Sequence, residues 1–121
     1  MSVLAALGVG LLGGLGAIAR FALDAVVARR LGRQFPYGTL AVNLSGAFLL
    51  GAFVGLALPD DSYRLLGTGL IGAFTTFSTW ALESQRLGED GQLRLGVVNF
   101  AVSLVAGVAA AWLGRHLGAA L

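Results

Sequence analysis

Apolar residues fall into four stretches, each long enough to cross a lipid bilayer as a helix. The stretches cover residues 3–28, 37–58, 63–87 and 95–117. Short polar segments separate them: a basic loop at 29–33, Pro-Asp-Asp-Ser at 59–62 and Gly-Glu-Asp-Gly at 88–91. We expect Asp61 or Ser62 to cap the third helix, because their side-chain oxygens accept hydrogen bonds from a first helical turn. The pattern predicts one transmembrane domain of four helices, whose first helix is a span rather than a signal peptide.

The composition predicts that much of the protein surface contacts lipid. Of 121 residues, 57% are hydrophobic and only 12% are charged, whereas a soluble domain has about a quarter charged residues. Four spans of about 20 residues leave only short loops and no room for a soluble domain. All basic residues are arginine, which together with abundant alanine, glycine and leucine suggests a bacterial genome. The sequence therefore predicts an all-α protein of the bacterial plasma (inner) membrane.

Hydroxyl groups are concentrated in the middle of the third stretch. Thr75, Thr76, Ser78 and Thr79 fall within five consecutive positions, at the depth expected for the membrane centre. If the helix breaks there, the hydroxyls replace lost backbone partners, and the freed carbonyl oxygens could bind a cation. Such backbone must be buried in protein or line a cavity. In the alternative, the helix is continuous and the hydroxyls bond carbonyls one turn back. The spacing alone leaves both alternatives open.

Neutral polar side chains also lie at membrane depth in the second and fourth stretches. Thr39 and Asn43 are one helical turn apart, and so are Asn99 and Ser103. Such groups usually face a partner or a water-filled cavity, and hydrogen bonding between helices is the ordinary alternative. No Asp, Glu, Lys or His lies centrally in any stretch. The pattern therefore favours a track of neutral donors suited to an anion over a proton-coupled site.

Aromatic side chains recur at every third position through the hydroxyl-rich segment, at Phe74, Phe77 and Trp80. The edge of an aromatic ring is positive, so ring edges can contact an anion. The alternative interpretation is ordinary packing, because residues three apart are neighbours on a helix surface.

Small residues form pairs four positions apart, which allow helix backbones to approach closely in lipid. The pairs serve packing within one subunit or association between subunits. Since four thin helices enclose little space, we favour a dimer. The pairs are Gly10 with Gly14, Gly51 with Gly55, and Gly107 with Ala111.

Charged residues lie towards the helix ends and indicate neither an enzyme nor a nucleic-acid-binding protein. Arg20 with Asp24 and Glu83 with Arg86 are placed for local pairing near a membrane interface. Cysteine is absent, which excludes thiolate metal sites and thiol nucleophiles. No serine–histidine–aspartate set, carboxylate pair or metal-ligand spacing is recognisable. A small multidrug exporter, which would need an embedded glutamate in its first helix, and a non-transporting assembly subunit are the alternatives to a channel.

Three segments together resemble the Fluc (CrcB-type) family of fluoride channels. They are residues 13–21 (GGLGAIARF), 36–46 (PYGTLAVNLSG) and 72–80 (GAFTTFSTW). The order, the spacing and the number of helices agree over nearly the whole chain, and the third segment is the most specific. The resemblance implies a fluoride-selective channel that exports fluoride passively and lowers its toxicity in the cytoplasm. It also implies an antiparallel, dual-topology dimer with two narrow fluoride pathways at the subunit interface.

The resemblance further implies roles for individual residues. Family members have a broken third helix whose backbone carbonyls hold a structural sodium ion, and the matching carbonyls here belong to Gly72 and Thr75. The family often has phenylalanine where this chain has Trp80, whose indole offers an N–H donor. The implied fluoride pore includes the side chains of Asn43, Phe77, Trp80, Ser78, Thr79, Thr39 and Ser103.

The arginines are distributed unevenly between the two ends of the predicted helices. An excess of arginine favours the cytoplasmic side, so this distribution favours one orientation, whereas dual topology needs near balance. We expect an antiparallel homodimer, with pairing to an oppositely oriented paralogue as the alternative. One membrane side would carry Arg29, Arg30, Arg33, Arg86 and Arg94, and the other Arg64 and Arg115.

Overall fold

The computed structural model describes residues 2–121, except for the side chain of Ser78. In this part of the chain every regular element is helical, and four helical spans are long and apolar enough to cross a membrane. The fold class is therefore the one that the hydrophobic pattern predicts. The elements are α1 (Val3–Leu31), α2 (Tyr37–Gly55), α3 (Asp60–Tyr63), a π-helical segment (Arg64–Ile71), α4 (Gly72–Phe74), α5 (Phe77–Glu89) and α6 (Leu93–Ala120).

The first helix is longer than predicted, because basic residues expected in a loop complete its last turn. Arg29 and Arg30 lie in that turn, where positive charge interacts favourably with the negative end of the helix dipole. Gly32 then ends the helix with a φ of 83°, and its N–H bonds the carbonyl oxygen of Ala28 at 2.8 Å. Glycine suits this position because it adopts a positive φ without a steric penalty.

The connection between the second and third spans also differs from the prediction. α2 ends at Gly55 rather than near residue 58. The expected cap by Asp61 or Ser62 is wrong, since the helix already begins at Asp60, directly after Pro59. Asp60 and Asp61 instead lie in the first turn, where the positive end of the helix dipole stabilises negative charge.

The third span is broken in the middle, so the alternative of a continuous helix is excluded. Its first half, residues 60–74, consists of α3, the π-helical segment and α4, and its second half is α5. Between them, Thr75 and Thr76 have extended backbone, with φ and ψ of −81° and 160°, and of −148° and 124°. The π-helical segment spans 8 residues, and such wide helical turns are rare and frequent at functional sites.

α2 packs along α6 at a contact that we call the α2–α6 seam, formed by Gly51 and Gly55 of α2 and by Gly114 and Gly118 of α6. A β-carbon at any of these glycines would collide with a backbone carbonyl of the other helix. The two pairs therefore bring the backbones into contact within one subunit. For Gly51 and Gly55, the alternative of packing inside a subunit is correct. The obstructing carbonyls belong to Ala111, Arg115, Phe48 and Ala52, respectively.

α1 covers one side of the first half of the third span. Gly16 of α1 lies against the carbonyl of Leu70, and Gly69 lies against the backbone of Val9. By contrast, Gly10 and Gly14 have open space where a β-carbon would stand, so they face away from the rest of the subunit. On its other side the third span meets α2 and α6, and a groove between the three runs past the break.

Candidate functional site

Asn43 of α2 holds the backbone at the break. Its Nδ2 donates to the carbonyl oxygen of Thr76, and its Oδ1 accepts from the N–H of Thr76, both at 2.9 Å. The side chain thus supplies the donor and the acceptor that backbone removed from water requires. An amide carries two N–H groups, and the pairing with Thr76 uses only one. The structure therefore brings this predicted residue directly to the break, as a hydrogen-bonding bridge between helices.

Hydroxyl groups complete local hydrogen bonds on both sides of the break. The hydroxyl oxygen of Thr76 accepts from the N–H of Thr79 at 3.3 Å and caps α5. The N–H and the hydroxyl of Thr75 both donate to the carbonyl oxygen of Ile71, at 2.9 and 3.1 Å. Because the helix ends at Phe74, no following turn supplies donors to the carbonyls of its last turn. That last turn includes Gly72, one of the two residues predicted to hold sodium.

A cavity of 470 Å³ lies between α2, the third span and α6. We call it the larger cavity, to distinguish it from the 140 Å³ cavity described below. None of the lining residues that the structure describes has an ionisable side chain. The cavity therefore combines neutral donors, aromatic rings and backbone beside the break. It brings together six of the predicted site residues, namely Asn43, Gly72, Thr75, Phe77, Trp80 and Ser103.

The two aromatic residues predicted for the pore have different surroundings. Trp80 is only 9% exposed and stacks on Phe100 of α6, with ring centroids 4.8 Å apart and planes 19° apart. Phe77 is 71% exposed and meets Trp80 edge to face at 5.1 Å and 75°. Trp80 therefore faces the larger cavity and the protein interior rather than lipid, whereas Phe77 projects from the surface of the subunit.

Asn99 forms a buried link between α5 and α6, so the alternative of hydrogen bonding between helices is correct for this residue. Only 1% of the residue is exposed. Its backbone carbonyl oxygen accepts the indole N–H of Trp80 at 3.4 Å, and its side-chain Nδ2 donates to Ser84 Oγ at 2.7 Å. Its Oδ1 accepts the hydroxyl of Ser103 at 3.4 Å. The spacing of Asn99 and Ser103 indicated a shared helix face, but Ser84 and Trp80 lie on another helix that the spacing could not reveal.

A smaller cavity of 140 Å³ lies on the other side of the break and is lined by two of the three remaining predicted residues, Thr39 and Thr79. Arg20 and Asp24 of α1 also line it, which sequence reasoning missed. Thr76 borders both cavities, so the predicted pore residues are divided between two spaces that adjoin at the break. The side chain of Ser78, another predicted pore residue, lies outside the described residues.

The predicted local pairing of charges is wrong for Asp24. Its carboxylate lies 3.8 Å from the guanidinium of Arg33, because this face of α1 meets the start of α2, where Gly38 contacts Asp24. Arg20 instead borders the smaller cavity. The other predicted carboxylate, Glu83, accepts a hydrogen bond from the hydroxyl of Thr39. Exposed ion pairs contribute at most about 1 kcal/mol, so the Asp24 contact with Arg33 adds little stability.

Four membrane-length helices, a break at membrane depth and a cavity beside it that carries neutral polar groups define a small multi-pass membrane transport protein. Residues 7–115 match the model of a protein family described as "CrcB-like protein, Camphor Resistance (CrcB)". The chain belongs to this family, and it is a multi-pass protein of the bacterial inner membrane.

Similar proteins cover nearly the whole chain. It is 59% identical over 111 residues to "Fluoride-specific ion channel FluC 2" of Mycobacterium tuberculosis, covering 92% of this chain and 88% of the relative. It is 42% identical over 118 residues to "Fluoride-specific ion channel FluC" of Citrifermentans bemidjiense, covering 93% and 95% of the two chains. These names describe ion channels, a non-enzymatic class, and they give no support to the multidrug exporter or the assembly subunit.

Proposed function

We propose that this protein is a fluoride-selective channel that lets fluoride leave the cytoplasm passively and thereby lowers its toxicity. The observation that carries the proposal is the larger cavity, where neutral donors and aromatic rings adjoin a break in a membrane span. Irregular backbone at membrane depth is tolerated where it lines a cavity, and polar groups there usually mark an ion or substrate pathway. The names of the relatives supply the identity of the ion.

The chemistry of the larger cavity suits a small anion that must exchange water for protein donors. Asn43 offers an N–H donor, and Ser103 offers an O–H donor once it turns from its long 3.4 Å contact with Asn99. The edges of Phe77 and Trp80 offer weakly positive contacts. Conduction requires binding that is favourable enough for entry and weak enough for exit. The described lining of the larger cavity has no fixed charge and meets that requirement, because it does not trap the ion. The remaining members of the proposed pathway are Thr39, Ser78 and Thr79.

Ion release from liposomes tests this function. Purified protein is reconstituted into liposomes loaded with fluoride, a potassium ionophore balances charge, and an electrode follows release. We expect rapid fluoride release, with chloride-loaded liposomes remaining tight and protein-free liposomes as the blank. Equal chloride release would contradict the proposed selectivity. Strict dependence on a proton gradient would contradict a passive channel and point to an exporter.

We further propose that the channel is an antiparallel homodimer. The larger cavity opens between α2, the third span and α6, and beside it Phe77 projects from the subunit surface. A second copy covering this side would shield the polar groups and the broken backbone from lipid, where unsatisfied groups are costly. Gly10 and Gly14 leave a further strip of α1 open to close approach by another helix.

Labelling of single cysteines tests the antiparallel arrangement, since the chain has no cysteine of its own. With four spans, the C-terminus and the loop around residue 91 lie on opposite membrane sides. Leu121→Cys, at a position that is 96% exposed, and Gln92→Cys therefore mark opposite ends. An antiparallel homodimer requires each variant to be labelled from both sides. If each is labelled from one side only, the arginine bias sets the orientation and an oppositely oriented paralogue must be the partner.

We also propose that the break holds a structural sodium ion through the backbone carbonyls of Gly72 and Thr75. Carbonyl oxygens are hard, neutral ligands that suit an alkali cation. The local geometry fits this role, because the last helical turn lacks following donors and Thr75 adopts extended backbone. A bound sodium ion would add positive charge near the pathway. Gly72 and Thr75 would fix the backbone whose carbonyl oxygens hold the ion.

The substitution Gly72→Ala separates the sodium site from packing inside the subunit. A β-carbon at Gly72 would meet only the carbonyl of Gly67, at an ordinary contact distance of 3.6 Å, so a single subunit accommodates it. If Gly72 lies against a partner subunit and a bound ion, the variant should lose dimer on size exclusion and require more sodium for fluoride flux. Gly13→Ala is the matched control, because its β-carbon would likewise meet a carbonyl, that of Gly69, at an ordinary distance of 3.7 Å inside the subunit. Unchanged assembly and sodium dependence in Gly72→Ala would contradict the proposed site.

A further inference from the structure

Asn99 is the most deeply buried polar residue among those described, and each of its polar groups except the backbone N–H has a side-chain partner. Two of these partners, Trp80 and Ser103, line the larger cavity, whereas Asn99 itself does not. The third partner, Ser84, donates its hydroxyl to the carbonyl oxygen of Trp80 at 2.9 Å. A continuous chain of hydrogen bonds thus runs from the Asn99 side chain through Ser84 to the backbone of Trp80.

We infer that Asn99 is a positioning residue that turns the indole N–H of Trp80 away from the larger cavity. The N–H is engaged by the carbonyl of Asn99, and the ring is held between Phe100 on its face and Phe77. The cavity therefore meets the carbon framework of the indole. Trp80 therefore presents no hydrogen-bond donor to the larger cavity. This inference rests on the proposed function, because it assigns the wall an effect on fluoride.

The consequence for an ion follows from the strength of the bond that a free indole N–H would form. A hydrogen bond to a charged partner changes a binding constant by roughly tenfold or more. Fluoride concentrates its charge on a small ion and is a strong acceptor, so an N–H in the wall would hold it. Since conduction needs weak sites, a released indole should bind fluoride more tightly and pass it more slowly.

The Asn99 side chain, rather than its carbonyl alone, controls the indole. At 3.4 Å the contact between the indole and the carbonyl is long for an N–H···O hydrogen bond, so it depends on where the ring is held. The 2.7 Å bond between Asn99 and Ser84 is short and fixes α5 against α6. Gly96 assists, because a β-carbon there would press on the carbonyl of Ser84. Loss of the Asn99–Ser84 bond should therefore loosen the indole.

Nuclear magnetic resonance of the indole N–H tests the placement without reference to conduction. The chain has two tryptophans, and the other, Trp112, is exposed and lines neither cavity. Trp112→Phe protein labelled with nitrogen-15 tryptophan should give one indole signal. We expect slow exchange of its proton with deuterated water and no shift with added fluoride. Adding Asn99→Leu, or Ser84→Ala if that variant folds poorly, should speed exchange and make the signal sensitive to fluoride.

Two results would overturn the inference. A fluoride-induced shift in the Trp112→Phe protein would show that the N–H already faces the ion. Unchanged exchange after both Asn99→Leu and Ser84→Ala would show that neither side chain positions the ring. Because proton exchange is read without fluoride, these results remain interpretable if the protein proves not to conduct fluoride, and that failure would appear separately in the liposome assay.

Fluoride flux at varied concentration provides the second readout. Asn99→Leu should lower both the half-saturating fluoride concentration and the maximal rate, by roughly tenfold each for one added hydrogen bond. In a Trp80→Phe background, which has no indole N–H, the same substitution should no longer lower the half-saturating concentration. If Asn99→Leu reduces only the maximal rate, and does so equally in both backgrounds, Asn99 has a merely structural role and the inference is wrong.

Discussion

The α2–α6 seam and the break in the third span are two ways of joining helices in lipid. At the seam both helices are continuous, so their backbone groups are satisfied internally. Glycines such as Gly51 and Gly114 let the backbones touch, and among the described residues no side-chain hydrogen bond connects α2 with α6. At the break the helical ladder stops, and Asn43 supplies both a donor and an acceptor to Thr76.

The difference shows what lipid demands from each kind of contact. A continuous helix associates with another wherever small residues leave space for close packing. An interrupted helix requires hydrogen-bonding partners for its free backbone groups, since no water is present to provide them. Substitutions at the seam should therefore act through volume, and substitutions at the break through chemistry. Matched variants can separate the two effects.

The largest effect is expected from Asn43→Asp at the break. A carboxylate cannot donate to the carbonyl of Thr76, and it adds negative charge where the proposed pathway carries an anion. At about 4 Å and an intermediate dielectric, the repulsion is about 4 kcal/mol, which corresponds to roughly a thousandfold loss of fluoride flux. Liposome flux measures this loss, and size exclusion checks that the variant still assembles.

Ser45→Asp is the matched charge control for that experiment. Ser45 lies on the same helix, and its hydroxyl bonds the helix backbone at Ala41 and Val42 instead of lining a cavity. Retained flux in Ser45→Asp, with loss in Asn43→Asp, would place the effect in the pathway. Normal flux in Asn43→Asp would remove Asn43 from the pathway and leave it as a structural bridge.

The seam should respond strongly to a single methyl group. In Gly114→Ala the β-carbon would press on the carbonyl of Phe48, and overpacking of this kind costs about 1–3 kcal/mol. Thermal unfolding in detergent should show a lower midpoint. Gly13→Ala adds the same methyl group at a helix position where the nearest atoms stand at ordinary contact distances of 3.7 and 3.9 Å, so it should not destabilise the subunit. Equal destabilisation by both variants would indicate that close backbone contact at the seam is not the cause.

The four spans could be predicted from the sequence, because hydrophobic length alone selects helices that cross a bilayer. The break was one of two alternatives, since the same hydroxyls suit a broken helix and a continuous one. What distinguishes them is Asn43, whose partner Thr76 lies 33 residues further along the chain. The sequence shows that both residues are polar, but it does not show that they meet.

The main limit of prediction from the sequence was that it does not show which residues of different helices contact each other. The spacing of Gly51 and Gly55 indicates a close contact, but it does not indicate that α6 is the neighbour. Gly114 and Gly118 have the same spacing, and this signal was available but overlooked. Asn99 shows the same limit, because its burial depends on Ser84 and Trp80 of another helix. Periodicity tells which residues share a face, and only the packed structure tells what the face meets.

A smaller effect is expected at the end of the break, in Thr76→Val. Valine has nearly the shape of threonine but cannot accept the N–H of Thr79, so α5 loses its cap. Loss of such a cap costs about 1 kcal/mol, which should appear as a modest fall in the thermal midpoint. Thr76→Ser keeps the hydroxyl and should fall less. If the serine variant is as unstable as the valine variant, the methyl group matters rather than the cap.

The smallest effect is expected away from both contacts, in the turn after α2, and it should have the opposite sign. Ala57 has a φ of 52°, a left-handed conformation in which a β-carbon is strained. Ala57→Gly removes that strain at the expense of a more flexible unfolded chain, and the net gain should be about 0.5–1 kcal/mol. Ala101→Gly, at an exposed position inside α6, is the matched control and should destabilise, because glycine is a poor helix former. A lower midpoint for Ala57→Gly would mean that the turn gains nothing from relief of strain. It would also mean that contacts with the rest of the protein, and not its own dihedral angles, determine the stability of the turn, as they do at the seam and the break.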